Sequence, residues 1–236
     1  MARGRDFLEL CERIKYNFRS PSLLECALTH SSYSNEMRQR TVEVSSNERL
    51  EFLGDSVLQL VISEYLYANY KNFREGALTQ LRQKLVCEKT LARIGGEIEL
   101  GKYLNIGHGD EINGLRKRPK VIADAMEALI AAVYLDSHAS DELYKGVVIS
   151  LFKDEMANLF DRDMLDYKTM LQQFAEQDGS AILEYRTVSE DGPEHDKRFT
   201  VCAYINNNEV GRATAGTKKD AEMHCARIAL ELFGVI

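Results

Sequence analysis

The sequence predicts two domains of different class: an all-α domain at residues 1–160 and, after a linker at 161–166, a small α+β domain at 167–236 with the order α-β-β-β-α. Apolar residues recur at helical spacing from residue 6 to about residue 160. The segment 161–166 is short and charged and lacks this periodicity. Beyond it, three alternating segments lie between two helical ones, which is the pattern of an α+β domain.

In the first domain, the order of elements follows from periodicity and helix-start signals. Segments with helical spacing of apolar residues lie at 7–14, 77–86, 90–94 and 119–135. The polar stretch 33–46 lacks such spacing and is predicted to be a loop. A long helix is expected to follow it, with Asn47 as a possible N-cap and Ser45 or Ser46 as competitors. Pro119 suits the first turn of the last helix.

In the second domain, the predicted strands are 183–189, 198–205 and 209–215. Helices are expected at 169–177 and 217–233, and the three asparagines at 206–208 indicate a turn.

Three carboxylates share one face of the helix that follows residue 47. Glu48, Glu51 and Asp55 are spaced i, i+3, i+7, and apolar residues occupy the opposite face. Like charges at this spacing repel one another and destabilise a helix. The stripe is therefore either a solvated acidic face or a cation site.

A second acidic pair favours the cation. Asp124 and Glu127, spaced i, i+3, are the only charges of the helix 121–135, which is otherwise small or apolar and so predicted to be buried. Buried carboxylates are costly unless they are paired or bound to a metal. Arg49 or a distant base could pair them, but no base is interleaved at the right spacing.

The kind of metal follows from the ligands. All candidates are oxygen donors, and the sequence has neither an H-E-x-x-H nor a Cys-x-x-Cys motif, so zinc is poorly supported. Carboxylates with water suit Mg²⁺ or Mn²⁺. Carboxylates around such ions are typical of phosphoryl chemistry, which makes a phosphodiester the leading substrate class.

Several motifs, in order, resemble the ribonuclease III family. Residues 47–58 resemble its signature, 74–79 its E-G-x-L-[ST] segment, and 122–130 its second acidic helix; 27–31 resemble the helix ahead of the signature. The resemblance implies a metal-dependent endonuclease for double-stranded RNA that leaves 5′-phosphate and 3′-hydroxyl ends with short 3′ overhangs. It also implies processing of ribosomal and messenger RNA precursors by a symmetric homodimer in the cytoplasm.

The resemblance also implies roles for single residues. Direct ligands of Mg²⁺, for which Mn²⁺ could substitute, are expected at Glu51, Asp124 and Glu127. Glu127 and Asp55 would be the catalytic residues. Asp55 would orient the attacking water, or contact the metal-binding residues without binding the metal itself. Glu48 would hold substrate or outer water, Glu75 would meet RNA near the cut, and Phe52 would pack into the partner subunit, although an ordinary core aromatic is the alternative for Phe52.

The second domain is similar to the double-stranded RNA-binding domain. A Gly-Pro-x-His loop at 192–195 and a Thr-Lys-Lys helix start at 217–219 carry the similarity. A phosphate would suit this helix start, because orphan N–H groups and the lysine charges meet there. The RNA contacts expected are Thr169, Gln172 and Glu176 on the first helix, His195 in the loop, and Lys218 and Lys219.

Composition sets bounds but does not name a function. The net charge of −7 gives no support to nucleic-acid binding, so RNA contacts must rest on local placement. Five scattered cysteines indicate reduced thiols in a cytosol, and no uncharged apolar run has membrane-spanning length. Two other functions stay open: a non-catalytic RNA-binding protein that kept the fold, and a cation-binding regulatory or scaffold protein.

Overall fold

The computed structural model describes residues 7–71, 73–157, 167–176, 181–193 and 196–235. They fall into two compact units, one within Met1–Leu66 and Arg82–Leu159 and the other within Tyr67–Leu81 and Phe160–Ile236. The predicted linker 161–166 lies outside the described residues.

Helices dominate the described residues as far as residue 157, as predicted. They are α1 (Leu8–Ile14), α2 (Pro21–Ala27), α3 (Ser31–Gln39), α4 (Glu48–Asn69), α5 (Glu75–Leu85), α6 (Glu88–Glu97), α7 (His108–Ile112), α8 (Pro119–Asp136), α9 (Asp141–Leu151) and α10 (Lys153–Ala157). Two short 3₁₀ helices, Leu100–Tyr103 and Leu115–Lys117, flank α7.

Helix α8 forms the centre of the first unit. Its small and apolar residues are buried on nearly every side, and α2, α6 and α9 pack around it. Gly95 lets α6 approach closely, since a Cβ there would lie 2.4 Å from Cγ2 of Ile122. The burial of α8 agrees with its apolar sequence and leaves Asp124 and Glu127 half-buried.

Two predictions for the segment before α4 are wrong. Residues 33–46 are not all loop, because α3 covers Ser31–Gln39. Local polar contacts hold α3: His30 accepts a hydrogen bond from the Ser32 N–H at 3.1 Å, and Arg40 pairs with Glu36 one turn earlier. Apolar periodicity could not reveal such a helix.

Residues 27–31 are not a helix either. Helix α2 ends at Ala27, and Thr29 forms a parallel bridge with Asn105. The Asn47 N–H donates to the Thr29 carbonyl at 2.8 Å, and the Asn105 N–H donates to the Leu28 carbonyl at 2.7 Å. This junction joins three segments that are distant in sequence, so tertiary hydrogen bonds determine the backbone conformation there.

Asp136, the last residue of α8, is a buried anchor of the first unit. Its carboxylate accepts hydrogen bonds from the Ser20 N–H at 2.7 Å, the Arg19 N–H at 2.8 Å and the Tyr16 hydroxyl at 2.9 Å. Burial alone raises the pKa of Asp136, but these hydrogen bonds outweigh it and hold the pKa below its ordinary value. Asp136 therefore ties the chain at Tyr16–Ser20 to the end of α8.

The Asp136→Asn variant is expected to lose about 1–3 kcal/mol of unfolding free energy at pH 7, because an amide NH₂ would face a backbone donor. A carboxyl group whose pKa is lower in the folded protein than in the unfolded chain stabilises the fold fully at pH values above the unfolded pKa of about 3.9. This stabilisation is lost as the pH falls toward the pKa of the folded state. The difference between wild type and variant should therefore shrink from pH 7 to pH 3 in urea titrations. A constant difference would contradict an ionic role.

The second unit contains a three-stranded antiparallel sheet with two helices. Strands β1 (Leu183–Asp191), β2 (Arg198–Ile205) and β3 (Asn208–Ala215) pair in sequence order, and helices α11 (Tyr167–Glu176) and α12 (Lys218–Leu232) pack together. Helix α12 lies against β2 and β3. The predicted α-β-β-β-α order is confirmed, and each end agrees to within two residues across the described part of the chain.

Candidate active site and RNA-binding surface

Helices α4 and α8 cross in near contact. A Cβ placed on Gly54 would lie 1.8 Å from the carbonyl oxygen of Glu127, so only glycine fits there. The crossing places Asp55, the next residue of α4, and Glu51, three residues before Gly54, beside the Glu127 turn of α8. Both predicted acidic helices thus meet at one point.

The charges at this crossing act on one another. Burial, followed by the negative charges of Asp55, Glu51 and Asp124, raises the pKa of Glu127 to about 7. Burial and then the charge of Asp124 also raise the pKa of Glu51. The four carboxylates therefore form one electrostatic cluster, called the acidic cluster below.

Among the described residues, Lys120 is the cation that acts most strongly on Glu51 and Asp124. It lowers the pKa values of Glu51 and Asp124 against the larger effect of burial, which raises both. Glu88 raises and His30 lowers the pKa of Asp124 further. No arginine in the described ranges contributes to the shifts of Glu51, Asp124 or Glu127, so neutralisation by Arg49, left open above, finds no support.

Asp55 is held in place by its own helix. The Gln59 side-chain amide donates to both of its carboxylate oxygens, at 2.9 and 3.0 Å. Sequence reasoning missed Gln59, Lys120 and Glu88 as neighbours of the site. The i, i+4 spacing of Asp55 with Gln59 and of Lys120 with Asp124 could have indicated two of them. The expectation that no base has the right spacing is therefore wrong for Lys120.

The donor set fits a hard divalent cation. Its candidate ligands are carboxylate oxygens, and a cation would offset the burial and the neighbouring negative charges that raise the pKa of Glu127. Within the described ranges, however, no three or more acidic, histidine or cysteine side chains are arranged so that they could hold a metal ion together.

The two remaining acidic candidates, Glu48 and Glu75, are exposed. Glu48 accepts a hydrogen bond from the Ser46 hydroxyl at 2.9 Å, and Glu75, in the first turn of α5, accepts one from Thr79 at 2.9 Å. His30 caps α3, because its side chain accepts a hydrogen bond from the Ser32 N–H.

Phe52 lies on the surface of α4, with 79% of its area exposed. It borders a hollow of about 690 Å³ whose apolar lining comprises Leu23, Cys26, Leu50, Leu53 and Leu135. The alternative of an ordinary core aromatic is therefore wrong. An exposed aromatic beside an apolar hollow is typical of a surface that binds another protein.

The predicted RNA contacts of the second unit lie at its surface where the structure describes them. Thr169, Gln172 and Glu176 are exposed on α11, and Gln172 donates to Glu176 at 2.6 Å. Thr217 caps α12, accepting a hydrogen bond from the Asp220 N–H at 3.1 Å. Lys218 and Lys219 follow it and are exposed.

The loop before β2 contains one predicted contact, His195, which lies outside the described residues. Gly192 at its start has φ +96, and a Cβ there would lie 2.5 Å from the Asp196 carbonyl oxygen. The glycine of the Gly-Pro-x-His motif is therefore needed for the turn itself.

Comparison with known proteins identifies both segments. Residues 20–152 match the family model described as ribonuclease-III-like, and residues 167–232 match the double-stranded RNA binding motif. Ribonuclease 3 of Natranaerobius thermophilus is 42% identical over 96% of both chains, and ribonuclease 3 of Caldanaerobacter subterraneus is 44% identical over 95% of this chain and 97% of its own. The solved nuclease domain of ribonuclease III from Campylobacter jejuni, described in connection with dimer formation, is 35% identical with a TM-score of 0.58 and covers 64% of this chain and 99% of its own.

A helical unit with an acidic cluster, joined to a double-stranded RNA-binding module, defines a class of metal-dependent nucleases. Within that class, the chain belongs to the ribonuclease III family. No helix in the described part of the chain is both long and apolar enough to cross a membrane.

Proposed function

We propose that the protein is a Mg²⁺-dependent endonuclease that hydrolyses phosphodiester bonds in both strands of double-stranded RNA. The proposal depends on the acidic cluster at the Gly54–Glu127 crossing, where carboxylates from two helices meet in a half-buried position. No arginine in the described residues contributes to the pKa shift of Glu127. Its products would have 5′-phosphate and 3′-hydroxyl ends with short 3′ overhangs. Structured precursors of ribosomal and messenger RNA in the cytoplasm are the proposed substrates.

In this proposal Glu51, Asp124 and Glu127 hold the ion, with Mn²⁺ able to substitute. When bound, the ion supplies positive charge that activates water and stabilises the leaving oxygen. Asp55, oriented by Gln59, accepts a hydrogen bond from the attacking water, and Glu48 and Glu75 contact the RNA or its water. The nuclease domain comprises residues 1–160. Residues 161–166 link it to residues 167–236, which bind the duplex.

Cleavage of a plain RNA duplex tests this function. The full chain should cut the duplex in the presence of Mg²⁺ or Mn²⁺ and leave it intact in EDTA, as followed on denaturing gels. Intact duplex that stays bound in both conditions would support the non-catalytic RNA-binding alternative. Absence of both cleavage and duplex binding would support the cation-binding regulatory alternative.

We also propose that the protein acts as a homodimer, with Phe52 of each subunit packed into the hollow of the partner. The Phe52→Ala variant should weaken the dimer about tenfold or more in sedimentation equilibrium, since a buried aromatic anchor carries much of an interface's free energy. Leu60→Ala is the matched control, because Leu60 is also exposed on α4 but does not line the hollow. An equal effect of both substitutions would contradict the role of Phe52.

A further inference from the structure

A cluster of charges on the second unit lies beside the predicted phosphate-binding helix start. The Glu190 carboxylate on β1 forms ion pairs with Lys218 at 2.6 Å and with Lys197, just before β2, at 2.8 Å. Both ammonium groups also lie 5.4 Å from the centre of the Phe199 ring. Neither Glu190 nor Lys197 belongs to the sequence motifs considered above.

The sheet register explains why these residues meet. Glu190 is opposite Phe199 in the β1–β2 ladder, and Phe199 is opposite Ala215 in the β2–β3 ladder, two residues before the Thr217 cap. The Phe199 ring packs on the small core of Val201, Ala215 and Ala221. It thereby provides a fixed platform over which Lys197 and Lys218 converge.

The charges of this cluster are unequal in number. Two ammonium groups face one carboxylate, and both lysines are about half exposed, so RNA can reach them. Hydrogen bonds from Lys197 and Lys218 lower the pKa of Glu190 to about 2, so the carboxylate is fully charged at neutral pH. Exposed ion pairs are weak, and a phosphate with its own negative charge can replace one.

We propose that Glu190 restrains the affinity for duplex RNA by competing with RNA phosphates for Lys197 and Lys218, and that Lys197 is a phosphate-binding residue beside Lys218. This inference rests on the proposed function and extends it to a residue that opposes binding. Each phosphate that contacts a lysine releases counterions, so a lysine held by Glu190 contributes less to affinity and to its salt dependence. A weaker grip of this kind favours release of the cut duplex.

The test measures binding of the full chain to a plain RNA duplex in EDTA, as a function of salt concentration. Glu190→Gln keeps the size of the side chain and should bind about threefold more tightly or better, with a salt dependence steeper by about one unit of slope. Lys197→Gln should bind more weakly, with a shallower slope. Glu209→Gln is the matched control: it also removes one charge from the sheet, but it pairs with Arg212 and lies opposite Tyr204, toward the other end of β2.

Three results would overturn the inference: Glu190→Gln binding equal to or weaker than wild type, the same gain in Glu209→Gln, or unchanged binding by Lys197→Gln. Weaker binding by Glu190→Gln would show that the carboxylate only positions the lysines. Failure of the proposed function is seen separately, because wild type would then leave the duplex intact with Mg²⁺, whether or not it binds the duplex in EDTA.

Discussion

Replacement of Glu127 by Gln is expected to slow cleavage of duplex RNA by at least about 100-fold while leaving duplex binding intact. The substitution keeps the size of the side chain but removes one charge from the acidic cluster. Even loss of a residue that only supports a metal ligand typically lowers metal affinity or activity about 10–100-fold. Cleavage should be followed under single-turnover conditions at several Mg²⁺ concentrations. Duplex affinity should be measured in parallel in EDTA.

The matched control for this experiment is Glu12→Gln, the same chemical change at an exposed position of α1. It should leave both cleavage and binding unchanged. Near-wild-type cleavage by Glu127→Gln would show that Glu127 does not hold the ion. A parallel loss of binding would mean instead that the substitution disturbs the RNA contact surface.

Much of the fold was predictable because it depends on patterns along single segments. The apolar character of α8 predicted its burial, and alternation predicted all three strands. The same reasoning failed at α3, whose stability depends on His30 as a cap and on the Glu36–Arg40 pair rather than on an apolar face. Short polar helices carry no periodic signal.

The acidic residues of the site were predictable, but the contacts between its helices were not. The spacing of Glu51 with Asp55 and of Asp124 with Glu127 indicated one face on each helix. Nothing along the chain showed that Gly54 faces the Glu127 carbonyl, because that contact joins residues 73 positions apart in sequence. The same limit applies to Asp136 with Tyr16 and to Glu190 with Lys218.

Replacement of Gly54 by Ala is expected to lower the free energy of unfolding more than the same replacement at Gly95 or Gly96. The new Cβ would meet backbone atoms of Glu127 at 1.8 and 2.4 Å, and a backbone carbonyl cannot rotate away as a flexible side chain can. Overpacking usually costs about 1–3 kcal/mol, so a clash with a buried helix should exceed about 3 kcal/mol. The helices would also separate, so the cleavage that survives in any folded fraction should fall.

Two other helical glycines make this prediction a graded test. A Cβ on Gly95 would meet the Ile122 side chain at 2.4 Å, which can adjust, whereas a Cβ on Gly96 would meet nothing within 4 Å. Urea unfolding should therefore rank Gly54→Ala as most destabilising and Gly95→Ala as intermediate. Gly96→Ala should be neutral or stabilising by up to about 1 kcal/mol, because alanine favours a helix. If Gly54→Ala were as stable as Gly96→Ala, α4 and α8 could not cross at this distance, and the acidic cluster would lose its structural basis.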